Sequence, residues 1–312
     1  MDFQLPVISI VGPTSTGKSA LARKVAAKFS DRHVDLLSAD SRQVFQGMEI
    51  GTGADVEPWS SNTHVHGISF LPPTAEWSVA HFRKFGREIL THSAAEKGVT
   101  IIVGGTGLYH QTLWREEAEI DIPPNEELRQ KAATLSLSEL QEWLTSINPT
   151  HWQNMNASDR ANPRRLVRAL EIAQAPTLPQ PELSSLPQTQ KSTFCLTCPL
   201  PELEARITAR VQDRWQNGMQ QEVEKLIANY SDEEWKNCPA FSATGYREVR
   251  QFIEGTLELE QSLALWSRRE FQYAKRQLTW WKKHLPAEYW IDITQPSWQE
   301  KVLEQTSATI SL

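Results

Sequence analysis

Val7-Ile-Ser-Ile-Val11-Gly12-Pro-Thr-Ser-Thr-Gly17-Lys18-Ser19 carries more architectural information than any other stretch of the chain. The run from Val7 to Val11 is β-branched at four of five positions and has no polar alternation, as expected of a parallel strand buried on both faces. From Ser19 to Phe29 the apolar residues recur at helical spacing, so strand, glycine-bracketed turn and helix follow one another as the first half of a βαβ unit. The turn matches GxxxxGK[ST] completely. Its glycines let backbone N–H groups face inward as an anion nest, and the helix N-terminus adds positive potential. Lys18 supplies a point charge and the Ser19 hydroxyl is a ligand for Mg²⁺. The ligand expected here is a di- or triphosphate.

Working outward, Val34 to Ala39 reads as a second strand and Val99-Thr-Ile-Ile-Val103 as a third that runs into Gly104-Gly105-Thr106-Gly107. The fold class expected is α/β: a P-loop NTPase-like open parallel sheet with helices on both faces, a helical insertion and a helical C-terminal part. Residues 1–121 form the core, and 122–158, with amphipathic segments at Glu126 to Leu135 and Leu137 to Ile147, form the insertion. Residues 159–312 complete the core and its C-terminal helices. Within them 174–192, with prolines at 176, 179, 181 and 187, reads as a surface linker.

A nucleotide-hydrolysing relative would end a second apolar strand in a Mg²⁺-orienting Asp. Here the strand at 99–103 ends in glycines, whereas the strand at 34–39 ends in Asp40, at the carboxyl edge where open α/β sheets hold ligands. Asp40 is therefore the foremost candidate for chemistry, the competing reading being a turn cap for Ser41 to Val44. The 312 residues carry 32 basic and 38 acidic side chains, a formal charge of −6, which excludes a wholly basic nucleic-acid coat but not a local patch. Three cysteines fit a reducing compartment better than a disulfide framework. Cys195-Leu-Thr-Cys198 lies in an apolar strand and lacks the further ligands of a zinc site. No apolar run approaches membrane-spanning length and the start lacks a signal peptide's pattern, so a cytoplasmic protein is expected.

Six segments together resemble the bacterial tRNA dimethylallyltransferases, also called tRNA isopentenyltransferases. They are Gly12 to Ser19, Ala39-Asp-Ser-Arg-Gln-Val-Phe-Gln-Gly-Met-Glu-Ile-Gly-Thr52, Val103-Gly-Gly-Thr-Gly-Leu-Tyr109, Asn162-Pro-Arg-Arg-Leu-Val-Arg-Ala-Leu-Glu171, Gly245-Tyr-Arg-Glu248 and Ala274-Lys-Arg-Gln-Leu-Thr-Trp280, in the family's order. The resemblance implies Mg²⁺-dependent transfer of a dimethylallyl group from dimethylallyl diphosphate to N6 of adenosine 37, beside the tRNA anticodon. It implies that Gly12, Pro13, Thr14, Ser15, Thr16, Gly17, Lys18 and Ser19 hold the donor, with Ser19 on the metal. It assigns catalysis to Asp40, Thr106 and Arg210. Contact with tRNA falls to Asp40, Ser41, Arg42 and Gln43, to Arg129, and to Arg164, Arg165, Leu166, Val167 and Arg168. The sequence departs from the family pattern at Gly51-Thr-Gly-Ala-Asp55, at Val65-His66-Gly67-Ile68-Ser69 and at Gln212-Asp213-Arg214. His64 and His66 read as loop histidines rather than ligands, since a metal site needs further converging groups.

Two basic clusters suit an anticodon arm. Arg164, Arg165 and Arg168 share one helical face, and Arg268-Arg269, Lys275-Arg276 and Lys282-Lys283 recur every seven residues among Phe271, Tyr273, Trp280 and Trp281. Phosphate contacts and base stacking are the terms such a surface supplies, although aromatics on a helix also serve as core. A monomer is expected. A P-loop kinase, and a catalytically silent RNA-binding relative, remain the alternatives.

Overall fold

A computed structural model describes residues 3–175 and 186–310, with side chains described to residue 307. The strands are β1 (Leu5–Val11), β2 (Val34–Ser38), β3 (Thr63–His66), β4 (Val99–Gly104), β5 (Thr189–Thr197) and β6 (Trp290–Asp292). They form one six-stranded sheet in the order β3-β2-β4-β1-β5-β6, and every pairing is parallel. β1 is buried along its whole length between β4 and β5, which explains its lack of polar alternation.

The helices are α1 (Lys18–Ala27), α2 (Glu49–Thr52), α3 (Val79–Ala95), α4 (Gly107–Trp114), α5 (Glu126–Ala133), α6 (Leu137–Ile147), α7 (Pro149–Asn154), α8 (Ala157–Arg160), α9 (Pro163–Gln174), α10 (Leu200–Arg214), α11 (Gln220–Asn229), α12 (Asp232–Asn237), α13 (Tyr246–Ile253), α14 (Leu259–His284) and α15 (Trp298–Ile310). Successive side chains of β1 point to opposite faces. Ile8 and Ile10 join Leu21 and Val25 of α1, Ile207 of α10 and Leu278 of α14. Leu5 and Val7 join Phe82 and Leu90 of α3 and Leu113 of α4. A further apolar cluster, which includes Met48, Tyr246 and Trp266, holds α11, α13 and α14 together. Among the described residues no helix is long and apolar enough to cross a membrane.

The chain divides into two units, Met1–Trp114 with Ser185–Leu312, and Arg115–Ser184. The insertion read from sequence as 122–158 is thus too short. α9 belongs with it because Leu166, Ala169 and Leu170 pack on Leu140 and Leu144 of α6. The linker read as 174–192 also needs correction. Its residues 176–185 lie outside the described ones, but from Thr189 onward the chain is β5, in register with β1 from Leu5. His64 and His66, read as loop residues, lie in β3, paired with Asp35 and Leu37 of β2.

Candidate active site

The phosphate loop is shaped by its neighbours as much as by its own glycines. Gly12 has φ 125°, and a Cβ there would stand 2.3 Å from the Leu196 carbonyl oxygen, so β5 admits only glycine. The Thr16 hydroxyl donates to the Pro13 carbonyl at 2.9 Å and the Lys18 ammonium to the same oxygen at 2.7 Å. The Thr14 amide donates to Gln277 Oε1 of α14 at 2.9 Å. Gly17, with φ 84°, opens α1 without a side-chain cap, which leaves the first-turn amides free for a ligand. The Ser15 hydroxyl is buried with no hydrogen-bond partner, on the wall of a cavity of about 400 Å³.

That cavity holds Lys18, Ser19, Asp40 and Arg210 on its walls. Burial, and then the charge of Arg210, lower the Lys18 pKa to about 8. Arg210 is pulled down to about 10 by burial and by Arg214. It extends from α10 to donate to the Thr14 hydroxyl at 3.0 Å. Arg214, one turn later, donates to both oxygens of Glu270 at 3.0 and 3.1 Å. A site that desolvates this many cations with few carboxylates favours a multiply charged anion.

A second cavity of about 280 Å³ adjoins the first, lined among others by Ser41, Arg42, Ser242 and Tyr273. Thr14 and Asp40 line both cavities. Asp40 Oδ1 accepts from the Arg42 amide at 2.8 Å, as the turn-cap reading expects, and the same residue lines both cavities. Glu222, its pKa raised by burial, accepts from the Ile50 and Gly51 amides at 2.7 and 2.9 Å and from the Tyr246 hydroxyl at 2.8 Å. This fixes α2, whose last residue Thr52 lines both cavities.

The remaining residues expected from sequence are placed less uniformly. Pro13 and Thr16 shape the loop without lining either cavity. Thr106 also lines neither; its amide donates to the Ala39 carbonyl at 3.2 Å, and its side chain lies beside the Tyr273 hydroxyl. Gln43 lines the first cavity and donates to the Gly53 carbonyl at 3.1 Å. In the helical unit, Arg129 and Arg168 both bind Glu171, at 2.7 and 3.0 Å, and Arg168 also donates to the Glu119 and Ile122 carbonyls. Arg165 pairs with Asp159, whereas Arg164 is exposed. Leu166 is fully buried in that unit's core, so its side chain is unable to touch RNA, a correction to the sequence reading.

Of the seven-residue basic stripe, Arg268, Lys275, Arg276, Lys282 and Lys283 are exposed, while Arg269 pairs with Glu248. Trp281 is core, and Trp280 packs where a Cβ on Gly107 would lie. Sequence reasoning missed Gln277, Glu270, Arg214 and Glu222. The available signal was polar side chains on the face of α14 that also carries Ala274, Leu278 and Trp281, Glu270 and Gln277 being two turns apart.

For Mg²⁺, the structure offers the Ser19 hydroxyl and the Asp40 carboxylate on one cavity, oxygen donors of the kind that ion takes together with phosphate oxygens. The residues present fit the ion.

A family model described as IPP transferase matches residues 43–284. A tRNA dimethylallyltransferase of Moorella thermoacetica is 34% identical, over 91% of this chain and 89% of that protein. One of Thermomicrobium roseum is 31% identical, over 99% and 93%. Among solved structures, the full-length tRNA isopentenylpyrophosphate transferase of Bacillus halodurans aligns with a TM-score of 0.69 at 26% identity, covering 99% of this chain and 97% of that one. A eukaryotic dimethylallyltransferase acting on tRNA aligns at 0.78 with 23% identity, covering 99% and 79%, which bears on the fold alone.

Proposed function

The chain belongs to the IPP transferase family, and from that premise we propose that it transfers a dimethylallyl group from dimethylallyl diphosphate to N6 of adenosine 37 in tRNA. The observation that carries the reading is the position of Asp40 and Thr14 on the wall common to both cavities. The donor diphosphate occupies the larger cavity, against the loop amides, Lys18 and Arg210. The adenine enters the smaller one.

The C1–O bond of the donor breaks with its electron pair going to the diphosphate, whose growing charge Lys18 and Arg210 neutralise. N6 bonds to C1, and the proton it loses passes to the Asp40 carboxylate, which makes a poorly nucleophilic aromatic amine competent. The Ser19 hydroxyl would hold Mg²⁺, which would supply further neutralisation of the leaving group. Thr106 acts through Tyr273 in positioning the base. Ser41, Arg42 and Gln43 with Arg129 and Arg164 to Arg168 serve the tRNA, through backbone only at Leu166. The helical unit is the part given over to substrate RNA. Both cavities are lined by one chain, so the reaction needs only a monomer, and the reading implies a cytoplasmic enzyme because its substrate is there.

The test is nucleoside mass spectrometry of an anticodon stem-loop incubated with the protein and dimethylallyl diphosphate. The expected product is N6-dimethylallyladenosine at the base after the anticodon. Phosphoryl transfer from labelled ATP, without prenylation, would favour the kinase instead.

A further inference from the structure

Four histidines gather around one buried carboxylate at the opposite end of β2 from Asp40. Asp35, whose side chain is 1% exposed, lies 2.8 Å through Oδ2 from His33 Nε2 and 3.8 Å from His92 Nδ1. Its other oxygen, Oδ1, lies 2.7 Å from His66 Nε2. The His64 ring stacks on His33 with centroids 4.6 Å apart, and the His33 and His92 rings are 5.4 Å apart. The ligand atoms of His33, Asp35 and His92 all lie within 4.8 Å of one another. The residues come from three places in the chain: the approach to β2, β2 itself and the last turn of α3.

A buried carboxylate needs its lone pairs satisfied, and His33 and His66 already do that. His92 makes no such bond, yet it turns Nδ1 toward the oxygen that His33 also faces. Two imidazole nitrogens and a carboxylate oxygen within 4.8 Å of one another form a donor set of intermediate softness, suited to zinc, cobalt, nickel or copper and poorly suited to magnesium. His66, on the far carboxylate oxygen, occupies the outer position that orients a ligating carboxylate. The His92 side chain is 60% exposed, which leaves an entry path for an ion and room for water to complete its coordination.

We propose that His33, Asp35 and His92 bind a divalent transition-metal ion of the zinc class, with His66 holding the carboxylate in place. Strand rise puts this point on the order of 15 Å from Asp40, so the ion acts on the fold and not on the transfer chemistry. It ties α3 and β2 together at the edge of the sheet where β3 pairs.

The experiment uses tag-free, chelator-stripped full-length protein in excess Mg²⁺, titrated with Co²⁺. The expected result is a visible d–d absorption that saturates at one equivalent, is displaced by Zn²⁺, and accompanies a rise in the thermal midpoint when Zn²⁺ is added. His92→Ala, a substitution of an exposed side chain that leaves folding intact, should weaken Co²⁺ binding at least about tenfold. His33→Gln should abolish it, and His284→Ala, at the exposed end of α14, should leave it unchanged. Absence of a saturable band, or an affinity untouched by His92→Ala, overturns the proposal.

Discussion

Lys18 is held in a state that makes the enzyme's response to pH predictable. Its pKa of about 8 means that the free enzyme loses this charge within the working range of many assays. A diphosphate binds the protonated form, so donor affinity measured calorimetrically should be flat below pH 8 and weaken above it, by up to about tenfold per pH unit. Lys18→Ala should remove that dependence and slow transfer by orders of magnitude. The stability consequence runs the other way. Because the folded pKa lies below the value of 10.5 in the unfolded chain, the unfolded chain holds more protons between pH 8 and 10.5. The unliganded protein therefore gains stability from this group as pH rises through that window. Asp40 offers a cleaner test of chemistry. In Asp40→Asn the remaining oxygen still accepts from the Arg42 amide, so the turn survives. With no base to take the N6 proton, kcat should fall about a hundredfold or more while the KM for RNA changes little.

At the scale of elements, α14 has two roles in one helix. Ala274, Leu278 and Trp281 are core, and the same helix sends Gln277 to the loop and Glu270 to Arg214. Gln277→Ala should leave the Thr14 amide without its acceptor and weaken donor binding by about 1–2 kcal/mol, roughly 5- to 30-fold in Kd, with little change in the denaturation midpoint. β1, the loop and α1 were legible because each residue there obeys a local rule: β-branched runs for a doubly buried strand, glycine where φ is positive, helical spacing after it. The end of β2 at Asp40 was legible for the same reason. β3 was not, since Thr63-His-Val-His66 is four residues with no apolar run and pairs on one side only. Nor was the start of β5, where Thr189, Gln190 and Lys191 have a linker's composition and become strand only because β1 presents free partners from Leu5 onward. Gln277 was hidden for a different reason. A glutamine in a long helix looks solvated until the loop it serves is folded against it.

Across the whole molecule, some of the basic residues offered to tRNA also hold the fold together, and others stand exposed. Arg168 is engaged by Glu171 and two carbonyls, so Arg168→Ala should lower the stability of the helical unit, seen in its unfolding midpoint. Arg164, Lys275 and Lys282 are exposed, and for each, replacement by Ala should shallow the slope of log affinity for the stem-loop against log salt by about 0.7 to 0.9. Slopes unchanged in all three would remove these surfaces from the RNA path. The register of β1 with β5 has a further consequence, in time. The Leu196 backbone that confines Gly12 is made roughly 180 residues after it, so at ordinary rates of synthesis, about 5–20 residues per second, one edge of the central strand waits on the order of ten to forty seconds for its neighbour. Arg210 and Gln277 arrive later still. A chain stalled on the ribosome before β5 therefore carries the complete phosphate motif with no wall behind it. It should neither retain the donor nor resist protease at β1, until the second half of the protein has been translated.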